Sequence, residues 1–229
     1  MTMQSKNYQL YVFDWDGTVM DTTGLIARGM QQACVTLGCP QPGLDACRET
    51  IGLPFAESFA RVAPGFRYEQ LDEFLTAYRN WYLQREAQVD VMAGLEDLFD
   101  RMTKNGLRLA VATGKSRAGL IRVFERTGLE KYFEATVTAD ESFPKPNPAM
   151  LEKLSDETGV DVREMVMIGD SIHDLQLAQN ARCDAVAVTW GAARLPELQS
   201  YPAVAYVSDV KELIRALNLS YLYEESQSA

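Results

Sequence analysis

The sequence predicts an α/β protein with a doubly wound parallel sheet and an inserted all-helical segment. Short apolar runs, Leu10-Tyr11-Val12, Leu107 to Ala112 and Met165 to Ile168, alternate with stretches of helical spacing, the pattern of βα units whose sheet is buried on both faces. Three of these runs stop abruptly in polar residues, as expected where strands deliver a ligand crevice at their carboxyl ends. Between Asp21 and about Gln88, by contrast, helical spacing recurs and no convincing strand run appears.

In order, the first strand leads directly into Phe13-Asp14-Trp15-Asp16-Gly17-Thr18, two carboxylates on a turn that a glycine makes tight. Ile26, Gly29, Met30, Ala33 and Leu37 then share one face of a helix with Asp21 or Thr22 as its N-cap and Gly38 as its stop. Cys47 to Pro54 reads as a loop and a short helix starts near Phe55. Leu71, Phe74, Leu75, Tyr78, Trp81, Tyr82 and Arg85 mark a further helix, whose aromatics are expected to pack its own core. The domain boundaries that result are 1–18 and 90–229 for the sheet-bearing core and 19–89 for the helical insert.

The alternation then resumes. Leu95, Leu98, Phe99 and Met102 line a helix that stops at Gly106, and the strand Leu107 to Ala112 delivers Thr113-Gly114-Lys115-Ser116. Ser116 caps a helix carrying Leu120, Val123, Phe124 and Thr127. A short strand covers Thr136 to Ala139, and Pro144-Lys145-Pro146-Asn147-Pro148 opens the next helix with Asn147 as N-cap and Pro148 at the first helical position. Met165 to Ile168 delivers Gly169-Asp170-Ser171; strands at Ala185 to Val188 and Val204 to Val207 and a helix with Val210, Leu213, Ile214 and Leu217 complete the pattern. The tail from about Glu224 carries too few apolar residues to order itself.

A formal net charge of −10 argues against nonspecific binding to nucleic acid or an anionic membrane, both of which need a basic face. No apolar run approaches the roughly 18 residues that span a bilayer, and Met-Thr-Met-Gln-Ser-Lys lacks the apolar centre of a signal peptide, so a cytoplasmic location is expected. Cys34, Cys39, Cys47 and Cys183 form no CxxC pair, and His173 is the single histidine, which favours reduced thiols over a zinc site or a disulfide framework.

If the strands are parallel, Asp14 with Asp16, Thr113 with Gly114, and Asp170 share one sheet edge, and Lys145 can join them. Carboxylates for a hard cation, a hydroxyl and an amide for an anion, and one ammonium form an inventory for handling phosphate on magnesium. Asp174 has two readings: support of the metal or of Lys145, or a helix capping box with Ser171. His173 is expected at an exposed rim and Lys115 in solvent. Trp15 should pack beneath the site, and Arg48 either meets an anionic substrate or forms a surface ion pair.

Asp14-Trp15-Asp16-Gly17-Thr18, Thr113-Gly114, Lys145-Pro146 and Gly169-Asp170-Ser171-Ile172-His173-Asp174, in that order, resemble the four motifs of the haloacid dehalogenase (HAD) superfamily, and the insert is similar to the helical cap of its phosphoglycolate phosphatase-like members. The resemblance implies a Rossmann-like core and a magnesium-dependent phosphatase acting on a small phosphorylated metabolite. It implies Asp14 as the nucleophile that becomes an aspartyl-phosphate and Asp16 as the general acid and then base. It further implies Mg2+ held by Asp14, the Asp16 carbonyl and Asp170, with phosphoryl oxygens bound by Thr113, the Gly114 amide and Lys145. Dehalogenases of the family usually carry Tyr, and phosphonate hydrolases Ala, where this chain has Asp16. A sugar phosphomutase and a phosphate-binding module with negligible turnover stand as the alternatives. Oligomeric state and natural substrate are left open.

Overall fold

The computed structural model describes residues 6–224. Six parallel strands run β1 Leu10–Phe13, β2 Leu109–Ala112, β3 Ala135–Val137, β4 Met165–Gly169, β5 Asp184–Val188 and β6 Ala205–Val207, in the spatial order β3-β2-β1-β4-β5-β6. The order reverses between β1 and β4, so the crevice of this doubly wound sheet opens above their carboxyl ends.

Side-chain alternation explains why both faces are dry. Tyr11 and Phe13 of β1, Leu109 and Val111 of β2, and Val166 and Ile168 of β4 enter one core, with α5 (Leu95–Lys104), α6 (Arg117–Thr127) and α10 (Val210–Ala216) packed over them. Leu10 and Val12, Ala110 and Ala112, and Met165 and Met167 enter the opposite core beneath α7 (Ala149–Thr158), α8 (Ile172–Ala181) and the short α9 (Leu195–Leu198). A third cluster lies apart from the sheet. Ile26, Met30, Ala33, Phe59, Phe74, Tyr78 and Tyr82 form it, from α1 (Thr23–Thr36), α3 (Phe55–Val62) and α4 (Leu71–Leu83), with Cys47 from α2 (Leu44–Arg48). Between β1 and α5 the regular elements are all helical. The chain leaves and re-enters the sheet-bearing part side by side: Asp21 N donates to the Asp90 carbonyl at 3.1 Å and Met92 N to the Val19 carbonyl at 2.9 Å.

Local chemistry moves several boundaries. Cys47 and Arg48, expected in a loop, close the unanticipated α2. β2 begins at Leu109 rather than Leu107, and β3 ends at Val137 because the Thr138 hydroxyl turns to Asp140 at 2.6 Å and starts a turn. Asn147 does hold the start of α7, its Oδ1 accepting from Ala149 N at 3.0 Å, but Pro148 occupies the N-cap position. Neither expected residue caps α1 with its side chain; Thr22 sits at the N-cap and its hydroxyl points to the Met20 carbonyl at 3.4 Å. Ser116 caps α6 as expected, accepting from Gly119 N at 3.3 Å. No helix among the described residues is long and apolar enough to cross a membrane. Cys34, Cys47 and Cys183 are buried and Cys39 is partly so, all as free thiols, and burial pushes the Cys47 thiol up to about 11. The expected loose tail beyond Glu224 lies outside the described residues.

Candidate active site

Register places the acids. Phe13 pairs with Ile168, and Asp14 N then donates to the Ile168 carbonyl at 2.9 Å, which sets Asp14 beside Gly169 and Asp170 just past the ends of β1 and β4. Asp170 is gripped on both oxygens: the Thr18 hydroxyl donates to Oδ1 at 2.8 Å and Ala192 N to Oδ2 at 2.7 Å. Its seat exists only because two neighbours lack side chains. A Cβ on Gly17 would stand 2.3 Å from Asp170 Oδ2, and one on Gly191 would stand 2.1 Å from the same oxygen. Gly17 also adopts φ +90°, a torsion that favours glycine.

Lys145 reaches this edge from the loop before α7, which Asn180 of α8 steadies by donating to the Pro146 carbonyl at 2.9 Å. Its ammonium donates to Asp14 Oδ1 at 2.8 Å and to Asp174 Oδ1 at 2.6 Å, all three groups being buried. Asp174 therefore makes both contacts that its two readings call for, one to Lys145 and one to Ser171. Its Oδ2 accepts from the Ser171 N–H and hydroxyl at 3.0 and 2.7 Å, completing the capping box of α8, while Oδ1 serves Lys145.

Oxygens of Asp14, Asp170 and Asp174 lie within 4.8 Å of one another. With three carboxylates and one ammonium, the ionised cluster carries two surplus negative charges on side chains that are all buried. Burial above all, then the fields of Asp174 and Asp170, hold Asp14 well above the usual carboxylate range despite the pull of Lys145. Asp170 is pushed to about 7 by burial and by Asp174. Burial alone would lower the Lys145 ammonium, but the carboxylates of Asp14 and Asp174 outweigh it and raise it. An all-oxygen donor set with an uncompensated charge of this size fits a hard divalent cation.

Thr113, buried at the end of β2, accepts from Lys115 N at 3.1 Å, so its own hydroxyl proton is available to an anion; Thr113 and Gly114 line the same cavity as the acids. That cavity, of about 320 Å³, is floored by the strand ends and roofed by the helical segment.

Lys115 departs from its expected place in solvent. Its ammonium lies 3.1 Å from Asp16 Oδ1 and 5.5 Å from the centre of the Tyr82 ring, and both charged side chains are largely covered. The contact is an ion pair outside hydrogen-bond geometry, so Asp16 Oδ1 has no hydrogen-bond partner among the described residues. Position next to Thr-Gly was the only sequence signal. His173 is likewise not an exposed rim residue: it is buried where Gly52 of the helical segment covers α8, close enough that a Cβ on Gly52 would stand 3.1 Å from its Cδ2. Burial lowers the affinity of its imidazole for a proton. Trp15 lies fully buried beneath the site against Phe124 and Phe133. Arg48 pairs with Asp45 at 3.6 Å and stays about half exposed, outside the main cavity, whereas Thr50 to Leu53 of the same loop line it. Tyr78 and Tyr82 pack the helical core as expected and also form cavity wall, a double role that helical spacing does not reveal.

Residues 11–188 match the family model for haloacid dehalogenase-like hydrolases. The chain belongs to this family. It is 31% identical over 212 residues to "Probable phosphatase IndB" of Dickeya dadantii, spanning 90% of this chain and 92% of that one. To a phosphoglycolate phosphatase of Agrobacterium fabrum this haloacid dehalogenase-like hydrolase is 28% identical over 218 residues, covering 91% of each. To pyrophosphatase PpaX of Bacillus velezensis it is 27% identical over 217 residues, 93% of this chain and 97% of that one. Among solved structures, a haloacid dehalogenase-like family hydrolase from Streptococcus pneumoniae superposes with a TM-score of 0.81 at 20% identity over 91% of this chain and 98% of the other, a likeness of fold. The protein is thus a hydrolase of the phosphatase kind, and two of these relatives are named for different phosphate compounds, phosphoglycolate and pyrophosphate.

Proposed function

We propose that this hydrolase is a magnesium-dependent phosphatase that cleaves a small phosphomonoester by way of a phosphorylated Asp14, with the helical segment 19–89 acting as a cap over the core formed by 1–18 and 90–229. The reading is carried by one observation: Lys145 bridges Asp14 and Asp174 at 2.8 and 2.6 Å, with Asp170 close by, at the edge where Thr113 also ends its strand.

In this mechanism an Asp14 oxygen attacks phosphorus and the bond from phosphorus to the ester oxygen breaks. Asp16, protonated when the ester binds, gives its proton to the departing alkoxide, and as a carboxylate it then takes one from the water that attacks the acyl phosphate, releasing inorganic phosphate and restoring Asp14. The Thr113 hydroxyl, the Gly114 N–H and Lys145 hold the phosphoryl oxygens as charge shifts among them. Lys115, beside Asp16, keeps that side chain turned to the cavity. Asp14, Asp170 and the main-chain carbonyl of Asp16 would hold magnesium, which when bound supplies positive charge against the phosphoryl oxygens. Asp174 orients Lys145 and fixes the start of α8.

The test is magnesium-dependent release of inorganic phosphate across a panel of phosphorylated metabolites, with Asp14→Asn as the blank. Release by the native chain and none by the variant is expected; an equal signal from both removes Asp14 as nucleophile.

A further inference from the structure

The wall of the cavity opposite the acids says what kind of alcohol leaves. Ile26 and Met30 of α1, Ile51 and Leu53 of the following loop, Phe55 of α3, and Tyr78, Tyr82 and Leu83 of α4 all face the cavity. The aromatics form a continuous surface, with Phe55 and Tyr78 centred 4.8 Å apart and Tyr78 and Tyr82 stacked at 5.4 Å and 24°.

Of the polar side chains that share this space, Arg79 of α4, exposed and without an ion pair among the described residues, and the Ser116 hydroxyl, which only accepts from Gly119 N at 3.3 Å, stay uncommitted, while most others are engaged elsewhere. The Thr50 hydroxyl donates to the Cys47 carbonyl at 2.8 Å, and the Ser171 hydroxyl to Asp174 at 2.7 Å. Asp140 accepts from the Thr138 hydroxyl and from Arg117 N at 2.6 and 2.9 Å, and Arg122 reaches Glu86 at 3.3 Å and the Ala118 carbonyl at 3.1 Å. The buried Tyr82 hydroxyl, by contrast, has no hydrogen-bond partner among the described residues. A polyol seated against this wall would exchange its water partners for apolar side chains and leave most of its hydroxyls unpaired. An apolar or aromatic body gains from the same burial and from ring packing, and the Tyr78 and Tyr82 hydroxyls, neither of them hydrogen-bonded among the described residues, can serve a polar substituent.

We infer that the substrate is a phosphomonoester of a predominantly apolar or aromatic alcohol, selected against sugar and polyol phosphates by the wall formed by Leu53, Phe55, Tyr78 and Tyr82. The inference rests on the phosphatase reading above for its chemistry but on a different part of the molecule for its content.

The experiment compares kcat/KM for benzyl phosphate with that for glycerol 3-phosphate, glucose 6-phosphate and phosphoglycolate in the presence of magnesium. A benzyl ester, rather than a nitrophenyl one, keeps leaving-group acidity from imitating recognition. Calorimetric binding of benzylphosphonate and methylphosphonate accompanies it. An advantage for the benzyl compounds of at least about tenfold in both measurements is expected, and Leu53→Asn, on a partly exposed position of the loop, should reduce the ratio of benzylphosphonate to methylphosphonate affinity severalfold. Equal or better use of the hydroxylated or carboxylated esters, or benzylphosphonate binding no tighter than methylphosphonate, overturns the inference. If no ester is hydrolysed at all, the phosphatase reading falls, and the two phosphonates still decide the class of ligand.

Discussion

Replacing Asp174 by Asn separates the two jobs this buried carboxylate performs. Both of its oxygens accept: Oδ1 from Lys145 at 2.6 Å, Oδ2 from the Ser171 N–H and hydroxyl at 3.0 and 2.7 Å. An amide of the same shape has one acceptor oxygen, so in either orientation its NH2 group confronts a donor, and Lys145 loses one of two anionic partners. Removing a partner from a buried ion pair costs about 3–5 kcal/mol. Because Asp14 remains on Lys145, the lower end, about 3 kcal/mol, is the reasonable value, and a weakened cap adds about 1 kcal/mol. With a urea dependence of roughly 2–3 kcal/mol per molar, the unfolding midpoint should fall by about 1–2 M. The assay is urea unfolding followed by circular dichroism in the presence of a chelator, with Ser171→Ala measured alongside, since that variant weakens the cap without touching Lys145. If Asp174→Asn costs no more than Ser171→Ala, the pairing of Asp174 with Lys145 contributes nothing and its role reduces to the capping box.

Three further outcomes are expected. Gly17→Ala forces a methyl group to within 2.3 Å of Asp170 Oδ2 on a residue at φ +90°, so magnesium-supported turnover should drop by at least about tenfold; activity near the native level would show that the Asp170 seat is not needed. Magnesium at about 100 times its dissociation constant should stabilise the native chain by about 2.7 kcal/mol, raising the thermal midpoint, and Asp170→Asn should abolish that rise; an unchanged midpoint counts against a metal site. Hydrogen bonds from Arg117, foremost among the causes, hold the Glu141 carboxyl at about 2 against an ordinary value of 4.5, so its contribution is complete above 4.5 and disappears as pH falls through about 2. The stability difference between native chain and Glu141→Gln should therefore shrink over that interval in acid unfolding curves, and a difference that is constant or grows there contradicts the linkage.

Sequence patterning reached the sheet and its edge because both depend on short-range rules. A buried parallel strand must be apolar on both faces, and Leu10 to Phe13 and Met165 to Ile168 are, so the residues immediately after them had to share an edge once the strands paired. Asp14, Thr113 and Asp170 were legible for that reason, Lys145 only through the order of the motifs, and all four line the same cavity. Lys115 was not, because its covering depends on the Tyr82 ring arriving from α4 and on the direction of the Asp16 side chain. His173 failed similarly: it is not part of the core stripe of Leu175, Leu177 and Ala178 on α8, and it is buried where the loop carrying Gly52 comes close to it. Asp174 shows that a capping spacing and a site role are not rivals, since a carboxylate has two oxygens and each can serve one of them. The α2 helix was missed because five residues are too few to display a helical repeat.

The niche around Asp170 is defined by atoms that are missing. Two residues distant in sequence, Gly17 and Gly191, each leave room for a single carboxyl group at its present length. A Glu at 170 would need one more methylene where no space remains, and enlarging the niche would require coordinated changes in two loops. The opposite wall is built from ordinary side chains that can be exchanged singly. Directed evolution of this enzyme should therefore alter which alcohol it accepts far more readily than which ion it employs.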